Sequence, residues 1–309
     1  MEIYRTRESK NFTLIPVLTP LPLYQASGAD LFLSPHRRRL NYVYLQDEWS
    51  LSRNWTLTGG IRHDSYSDFG STTNPRLALV WETSPALTTK LMYGTAFRAP
   101  SFIEQYATGN PVALGNPTLK PEKISTLEAG VVWRTTPTLN LGLNLFQHEI
   151  SDIIRQAGTT YENTGKQNGK GGEFEFAWDP SSRFRLVGNY AYQKNIDEAT
   201  GQDAGYAPHQ RIYLRADWRM VSGWQLSPQV NYVADRRRAA GDTRADLPDY
   251  TAVDITLRSD VVPRGWDFSA SIFNLFNTDI REPSKSSSGI PFDFRMPGRT
   301  YWLQLRYSL

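Results

Sequence analysis

Segments of about ten residues, in which apolar and polar side chains alternate, follow one another from about residue 39 to the end of the chain. In residues 55–64, Trp55 and Leu57 fall on one face, whereas Thr56 and Arg62 fall on the other. Because successive side chains of a β-strand point to opposite faces, this pattern predicts strands with one apolar and one polar face. About thirteen such strands are predicted, centred near residues 45, 60, 78, 92, 129, 144, 174, 189, 214, 228, 254, 271 and 304.

The connections between these strands alternate in length. The short ones are residues 52–54, 84–86, 135–138, 179–183, 221–223 and 259–265. The long ones are residues 65–73, 98–124, 150–168, 195–209, 234–249 and 277–298. Short turns at one end and long loops at the other are typical of an outer-membrane barrel, with the short turns in the periplasm. The predicted fold class is therefore all-β, an antiparallel transmembrane β-barrel.

The tryptophans provide an independent test of this fold. The chain has nine of them, and most lie at strand ends beside short connections. Indole rings favour the level of the lipid headgroups because they combine an apolar body with one N–H donor. An alternative, a soluble β-sandwich with aromatic core edges, does not explain why tryptophans avoid the long-loop end. We predict an interface girdle of Trp55, Trp81, Trp133, Trp178, Trp218, Trp224 and Trp266.

Composition excludes several kinds of chemistry. The chain has no cysteine, so disulfides, a zinc ribbon and thiol catalysis are ruled out. None of its four histidines pairs with another at metal-ligand spacing. No nucleophile elbow or phosphate-binding glycine loop occurs. We therefore predict no catalytic residue, no metal and no cofactor; an enzyme resident in the barrel would need a Ser/His or Asp/His constellation that the sequence does not assemble.

Charge and hydropathy restrict the partners. The formal net charge of +3 is close to balance, so nucleic acid is not implied. Mean hydropathy is −0.49, and no apolar run approaches the roughly 18 residues that a membrane helix needs. Both observations fit a soluble protein as well as a membrane barrel, because the apolar and polar residues of alternating strands cancel in the mean hydropathy.

Candidate ligand residues lie in the long loops. A basic run, Arg236, Arg237 and Arg238, is accompanied by the loop aromatics Tyr206, Phe292 and Phe294. Arginines at this end could attract an anionic ferric chelate, and the aromatic rings could stack on it. The alternatives are a solvated loop or a loop bound to lipopolysaccharide phosphates.

Two motifs in the longest loop resemble paired motifs of TonB-dependent receptors. The first is Phe97, Arg98, Ala99 and Pro100, and the second contains Asn116, Pro117, Leu119, Lys120, Pro121 and Glu122. Further on, residues 272–277, with Asn274 and Asn277, resemble the family's NLFN strand end, and residues 297–301 resemble its closing segment. The resemblance covers about residue 40 to the end.

The motifs also have local physical interpretations. Arg98, just past a strand end, could contact ligand or pair with a loop carboxylate. Pro100, Pro117 and Pro121 stop the β-ladder and hold an extended loop. Asn274 and Asn277 flank a strand end, where they are expected to satisfy turn backbone groups.

The resemblance implies a multi-pass receptor in the outer membrane of a Gram-negative bacterium, surrounded by lipid and lipopolysaccharide. It implies TonB-dependent uptake, with a ferric siderophore as the expected ligand; a cobalamin receptor and a passive porin-like channel are the alternatives. Family barrels have 22 strands around a plug that contacts TonB. About 13 strands are expected here, in residues 39–309. Residues 1–38 are expected to be an extracellular loop segment and a truncated strand rather than a secretory signal. A plug is expected to be absent and the sheet open, and this chain alone is not expected to transport.

Overall fold

The structure is a computed structural model that describes residues 2–6, 9–15, 32–108, 113–259, 266–284 and 292–307. Near the N-terminus, strands β1 (Glu2–Thr6) and β2 (Ser9–Ile15) pair in antiparallel fashion. Of the predicted N-terminal segment, residues 1–38, residues 1, 7, 8 and 16–31 lie outside the described residues. No described helix is both long and apolar enough to cross a membrane.

Thirteen strands form one sheet. They are β3 (Leu40–Ser52), β4 (Trp55–Tyr66), β5 (Gly70–Ser84), β6 (Leu87–Arg98), β7 (Glu122–Thr136), β8 (Leu139–Ala157), β9 (Thr160–Ser181), β10 (Phe184–Asp197), β11 (Gln210–Val221), β12 (Trp224–Ala234), β13 (Tyr250–Ser259), β14 (Trp266–Phe273) and β17 (Thr300–Tyr307). A two-stranded ribbon, β15 (Arg281–Glu282) and β16 (Phe294–Arg295), lies between β14 and β17 in the chain.

The sheet is an antiparallel meander in which each strand pairs with its neighbours in the chain. The order runs from β3 at one edge to β14 and finally β17 at the other edge. Within the described residues β3 and β17 do not pair with each other, so the sheet is open. The all-β class, the thirteen strands and their partial-barrel architecture are confirmed, and each predicted strand centre falls inside one of these strands.

One face of the sheet is apolar and exposed. Its large side chains include Leu45, Leu77, Leu91, Leu127, Leu143 and Leu145, whose exposed fractions lie between 44% and 52%. Antiparallel partners share a face, so the register traces this face from strand to strand. The pairs that do so near the short turns are Trp55–Trp81, Leu87–Trp133, Leu139–Trp178, Phe184–Trp218, Trp218–Leu226, Trp224–Ser259 and Trp266–Tyr307. A continuous apolar face of this extent requires lipid or another apolar partner.

The opposite face is held together by polar side chains. Arg62 donates to the fully buried Asp64 at 2.7 Å, two residues along the same strand. Across strands, Gln229 donates to Asp254 at 2.7 Å. Such pairing satisfies groups that would otherwise be buried without a partner, so this face is built to meet water or polar protein.

Two of the predicted long loops are wrong. β4 and β5 continue to Tyr66 and Gly70, leaving residues 67–69 as the turn. β8 and β9 continue to Ala157 and Thr160, leaving residues 158 and 159, where Gly158 adopts a φ of 62°. The backbone ladder extends past the point where apolar alternation stops, because hydrogen bonding between strands does not require an apolar face. The four remaining long connections are confirmed in their described parts.

Candidate functional site

Three of the long connections meet at one end of the sheet: β10–β11 (198–209), β12–β13 (235–249) and β14–β17 (274–299). The amide of Tyr206 donates to the carbonyl oxygen of Arg237 at 3.0 Å, which joins the first two. The guanidinium of Arg238 bonds Asp293 at 2.7 Å, which joins the second and third. The candidate ligand residues of all three connections therefore belong to one surface.

Arg236 and Arg238 are buried rather than displayed. Each side chain is only 6% exposed. Arg236 donates to the carbonyl oxygen of Arg281 at 2.7 Å and pairs with Glu282 at 3.1 Å. Its guanidinium lies 5.2 Å from the ring centroid of Tyr250. Both arginines hold connections together, and contact with a ligand stays a prediction for them.

Arg238 belongs to a buried group that we call the Asp293 cluster: Arg238, Asp242, Arg244, Ser284 and Asp293. Arg238 donates to both carboxylate oxygens of Asp293, at 3.0 and 2.7 Å. Arg244 donates to Asp242 at 2.6 Å and to the carbonyl oxygen of Ser284 at 2.6 Å. The amide of Ser284 donates to Asp293 at 3.1 Å. This bidentate geometry is the strong form of an arginine–carboxylate pair.

These contacts shift the acidity of both carboxyls. The hydrogen bond from Arg238 holds the pKa of Asp293 far below its ordinary value. The hydrogen bond from Arg244 lowers the pKa of Asp242 to about 2. A carboxyl whose folded pKa is depressed stabilises the fold above its unfolded pKa, which is about 4. The contribution of Asp242 is therefore complete above pH 4–5, roughly, and is lost as the pH falls toward its folded pKa of about 2.

Other candidate ligand residues are exposed at this surface. Arg237 pairs with Asp235 at 2.6 Å and Asp246 at 3.0 Å, and its side chain is 52% exposed. Phe292 is 74% exposed and Phe294 48% exposed. These two phenylalanines flank Asp293 in the chain, so the Asp293 cluster fixes the backbone from which they project.

Tyr206 lines a cleft of about 350 Å³ on the polar side of the sheet. Gln167 and Asp197, which are cross-strand partners on β9 and β10, also line it. Arg155 pairs with Asp197 there. Tyr206, with a φ of 68°, adopts the left-handed region, which is uncommon for a bulky residue. The cleft combines an aromatic ring with one arginine, the carboxylates of Asp197 and Asp203, and amide and hydroxyl groups.

His209 is the residue that sequence reasoning most clearly missed. The sequence pattern assigns it no partner, yet it is buried at 6% exposure. Nε2 lies 2.5 Å from Asp203 and Nδ1 lies 2.8 Å from Asp235. We call this group the His209 bridge, because it ties the β10–β11 connection to the end of β12. No sequence signal marks it, since Asp235 is 26 residues away.

The two receptor-like motifs meet in what we call the Arg98 clasp: Arg98, Glu104 and Glu122. Arg98 bonds Glu122 at 2.6 Å and Glu104 at 3.0 Å. The predicted pairing of Arg98 with a loop carboxylate is confirmed. Hydrogen bonding to Glu122, then Glu104, raises the pKa of Arg98 further. Burial opposes ionisation of Glu104, but the hydrogen bonds from Arg98 and Ser101 outweigh burial and lower the pKa of Glu104.

A short helix that the strand pattern did not predict lies inside this loop. α1 (Phe102–Tyr106) begins with a capping box, in which Ser101 and Glu104 each accept a hydrogen bond from the other's backbone amide. The spacing Ser-x-x-Glu was the available signal. Gly115 packs against the end of α1, where a Cβ atom would lie 2.4 Å from the amide nitrogen of Tyr106. The second motif thus needs glycine at this close approach.

The second motif is anchored to the neighbouring hairpin. The side chain of Asn116 donates to the carbonyl oxygen of Tyr161 at 2.8 Å. Lys120 exchanges two backbone hydrogen bonds with the side chain of Asn163, at 2.8 and 2.9 Å. Leu119 is buried, with 2% of its surface exposed. These contacts shape the loop, and none of them requires a ligand.

Asn274 and Asn277 satisfy backbone groups, as predicted. The side chain of Asn274 exchanges two hydrogen bonds with the backbone of Thr278, both at 2.9 Å. Asn277 accepts from the amide of Arg299 at 2.9 Å. Both asparagines have positive φ angles, 50° and 54°, which asparagine tolerates better than most residues.

Replacing Arg98 with alanine should loosen the β6–β7 connection, because Glu104 and Glu122 would then face each other without a cation. Water reaches this pair, so we expect local opening to become easier by about 1–2 kcal/mol. Hydrogen exchange at the amides of Gln105 and Ala107 measures it. Arg185→Ala, which removes an exposed pair with Asp179 at the other end of the sheet, is the control. Equal exchange in both variants would contradict a structural role of the clasp.

Among the described residues, no group of three or more histidine, aspartate or glutamate side chains is arranged to hold a metal ion. The prediction that the protein uses no metal or cofactor stays a prediction.

The comparison with protein families decides the identity of the barrel. A family model described as "TonB dependent receptor-like, beta-barrel" matches residues 4–275. The chain belongs to the TonB-dependent receptor family. This confirms the family predicted from the motifs, and with it the outer membrane of a Gram-negative bacterium as the location.

Individual relatives of this receptor barrel carry different names. The iron-regulated outer membrane virulence protein of Vibrio cholerae is 24% identical over 291 residues, which are 85% of this chain and 43% of that protein. The vitamin B12 transporter BtuB of Vibrio cholerae is 27% identical over 287 residues, which are 86% of this chain and 42% of that protein. The chain thus spans less than half the length of these relatives.

Solved structures agree on the fold. The ferric enterobactin receptor PfeA of Pseudomonas aeruginosa superposes with a TM-score of 0.77 at 19% identity, over 89% of this chain and 46% of that one. At this identity the similarity shows the fold alone. The family is one of receptors and transporters, not of enzymes.

Proposed function

We propose that the protein containing this chain is a receptor for TonB-dependent uptake of a ferric siderophore. The family membership supports TonB coupling, through a plug domain of the receptor, and a relative named as iron-regulated supports an iron ligand. The observation that carries the proposal is the surface at the long-loop end, where Arg237, Tyr206 and Phe292 are exposed on connections that bond one another, and where Tyr206 lines the cleft. The protein binds and moves its ligand without covalent chemistry, so it is not an enzyme.

The exposed guanidinium of Arg237, although paired with Asp235 and Asp246, supports a ferric siderophore over the alternatives. An anionic chelate gains from an exposed guanidinium, and its aromatic or apolar parts gain from stacking on exposed rings. Tyr206 and Arg237 are the primary ligand contacts in this proposal, with Phe292 and Phe294 at the rim. Arg236 and Arg238 act mainly by holding the loops, since each side chain is only 6% exposed. Arg98 does so by joining Glu104 to Glu122.

Cobalamin is the second candidate ligand, because BtuB is among the relatives. A passive porin-like channel is the third possibility. Uptake of labelled ligands in cells lacking the corresponding receptor separates the three. A siderophore receptor takes up a labelled ferric siderophore only when TonB is present, whereas a porin needs no TonB and a cobalamin receptor prefers cobalamin.

Arg237→Gln and Tyr206→Leu test the proposed contacts. A hydrogen bond to a charged group contributes about 1.5–3 kcal/mol, so Arg237→Gln should weaken ferric siderophore binding about tenfold or more. Arg219→Gln, an exposed arginine at the short-turn end that donates to the carbonyl oxygen of Ser182, is the matched control and should change nothing. Unchanged affinity in both loop variants would rule out this contact surface.

The seven tryptophans near the short turns form the periplasmic interface girdle in this proposal. They lie within a few residues of those turns and share the apolar face, as the strand register requires. In lipid bilayers, quenchers attached at headgroup depth should reduce tryptophan fluorescence more strongly than quenchers deep in the acyl chains. Stronger quenching from the bilayer centre would contradict a girdle.

A further inference from the structure

Two lysines stand directly opposite each other on the sheet. Lys170 of β9 and Lys194 of β10 are cross-strand partners, and both are exposed. Like charges in directly opposed positions destabilise a sheet pair. The arrangement is therefore unfavourable unless an anion lies between them.

Both lysines are on the apolar face, immediately beyond its apolar band. On β9, Lys170 lies on the same face as Gly172 and Phe174. On β10, Lys194 lies on the same face as Tyr190 and Tyr192. Next to Lys170 on β8 stands Gln147. The pair thus lies at the long-loop end of the lipid-facing surface, where apolar side chains give way to polar ones.

Neighbouring carboxylates are committed elsewhere. Glu149 lies one row beyond, and Lys166 pairs with it at 3.1 Å. Glu198 pairs with the same Lys166 at 3.4 Å. Glu173, which lies between Gly172 and Phe174 in the chain, points to the polar side and is the cross-strand partner of Ala191. Within the part of the chain that the structure describes, neither Lys170 nor Lys194 forms an ion pair.

We propose that Lys170 and Lys194 bind a phosphate group of lipid A in the outer leaflet of the outer membrane. The long-loop end of an outer-membrane barrel is extracellular, so the pair is level with the glycolipid headgroups there. A phosphate accepts hydrogen bonds from both ammonium groups and removes their repulsion. The amide of Gln147 and the phenol of Tyr192 are placed to bond the sugar hydroxyls.

A lipid phosphate fits this site better than free phosphate. Both lysines are exposed, and neither lines a cleft of the described residues, so a small anion would be only weakly held. A lipid adds acyl chains that pack on Phe174, Tyr190 and the leucines of the apolar face. The combination of an apolar band and two cations at its rim matches an amphiphilic anion.

The test uses the whole receptor, purified from outer membranes, with and without Lys170→Gln and Lys194→Gln together. Retained lipid A is measured by native mass spectrometry, and binding by titration of bisphosphorylated lipid A, dephosphorylated lipid A or phosphatidylglycerol. A basic residue near an anionic lipid surface contributes about 1 kcal/mol, so the double variant should bind bisphosphorylated lipid A about 10- to 30-fold more weakly. Lys90→Gln with Arg134→Gln, on the polar face, removes the same charge and should leave binding unchanged.

Thermal unfolding in lipid-free detergent separates binding from folding. The double variant should be as stable as the native protein or slightly more stable, because the lysine repulsion is gone. Added bisphosphorylated lipid A should raise the unfolding temperature of the native protein and not that of the variant. Equal binding of dephosphorylated lipid A, equal binding of phosphatidylglycerol, or full retention of lipid A by the double variant would overturn the proposal.

Discussion

Replacing Asp293 with asparagine should lower the free energy of local opening of the β12–β13 and β14–β17 connections by about 2–3 kcal/mol. Asparagine keeps the shape of the side chain and tolerates the φ of 60° at this position, so the change removes the charge alone. Arg238 and Arg244 would then share a single carboxylate, Asp242, in a site where Arg238 is 6% exposed. Removing one partner of a buried ion pair costs about 3–5 kcal/mol. Because water partly reaches this site, we expect a cost at or below the lower end of that range.

Hydrogen exchange measures this opening directly. The amide of Leu247 bonds the carbonyl oxygen of Arg236, and the amide of Met296 bonds that of Ile280. Both should exchange about 30- to 150-fold faster in Asp293→Asn. Asp279→Asn is the matched control, because Asp279 is 49% exposed and its partners Arg281 and Arg295 are 33% and 73% exposed. If both variants exchange alike, the Asp293 cluster does not hold the loops.

Replacing His209 with alanine should release the β10–β11 connection from the end of β12. The imidazole bonds Asp203 and Asp235 at once, so its loss leaves two carboxylates near each other and a cavity in a buried site. We expect local opening to become easier by about 2–3 kcal/mol, from a lost charged hydrogen bond and the exposed cavity. The amide of Tyr206, bonded to the carbonyl oxygen of Arg237 at 3.0 Å, should lose its protection from exchange.

His63→Ala provides the comparison for this substitution. His63 is exposed, and among the described residues its ring hydrogen-bonds only Thr73, at 2.8 Å, so its removal should change exchange very little. A ligand-binding measurement adds a second readout. If the His209 bridge acts by placing Tyr206, then His209→Ala and Tyr206→Leu should be strongly non-additive. Full additivity, or retained protection at Tyr206, would contradict the bridge.

The strands were predictable because their cause is local. A strand that faces lipid on one side and polar groups on the other repeats every two residues, and residues 55–64 show that repeat without reference to any other part of the chain. The same rule failed for residues 65–73 and 150–168. Residues 65–73 are mostly polar, and in residues 150–168 the register shifts after Ile150 and again after Ile153, so the two-residue repeat disappears although the backbone ladder continues.

The sites were predictable only in part. Family motifs indicated Arg98, Asn274 and Asn277, and their local roles could be stated because their partners are turn backbone or nearby carboxylates. The basic run in residues 236–238 was visible in the sequence, but the sequence did not indicate which of its members are buried. An arginine has the same appearance in sequence whether a carboxylate or water surrounds it.

The sequence by itself determined the all-β class, the thirteen strands, their two faces and the receptor family, since each follows from repeats or motifs within short segments. Only the tertiary structure decided which charges meet. Arg238 and Asp293 are 55 residues apart, and His209 reaches carboxylates in two different connections. Ion pairs act through space over a few ångströms, so their partners are fixed by the register of the sheet and the packing of its loops, which no local pattern records.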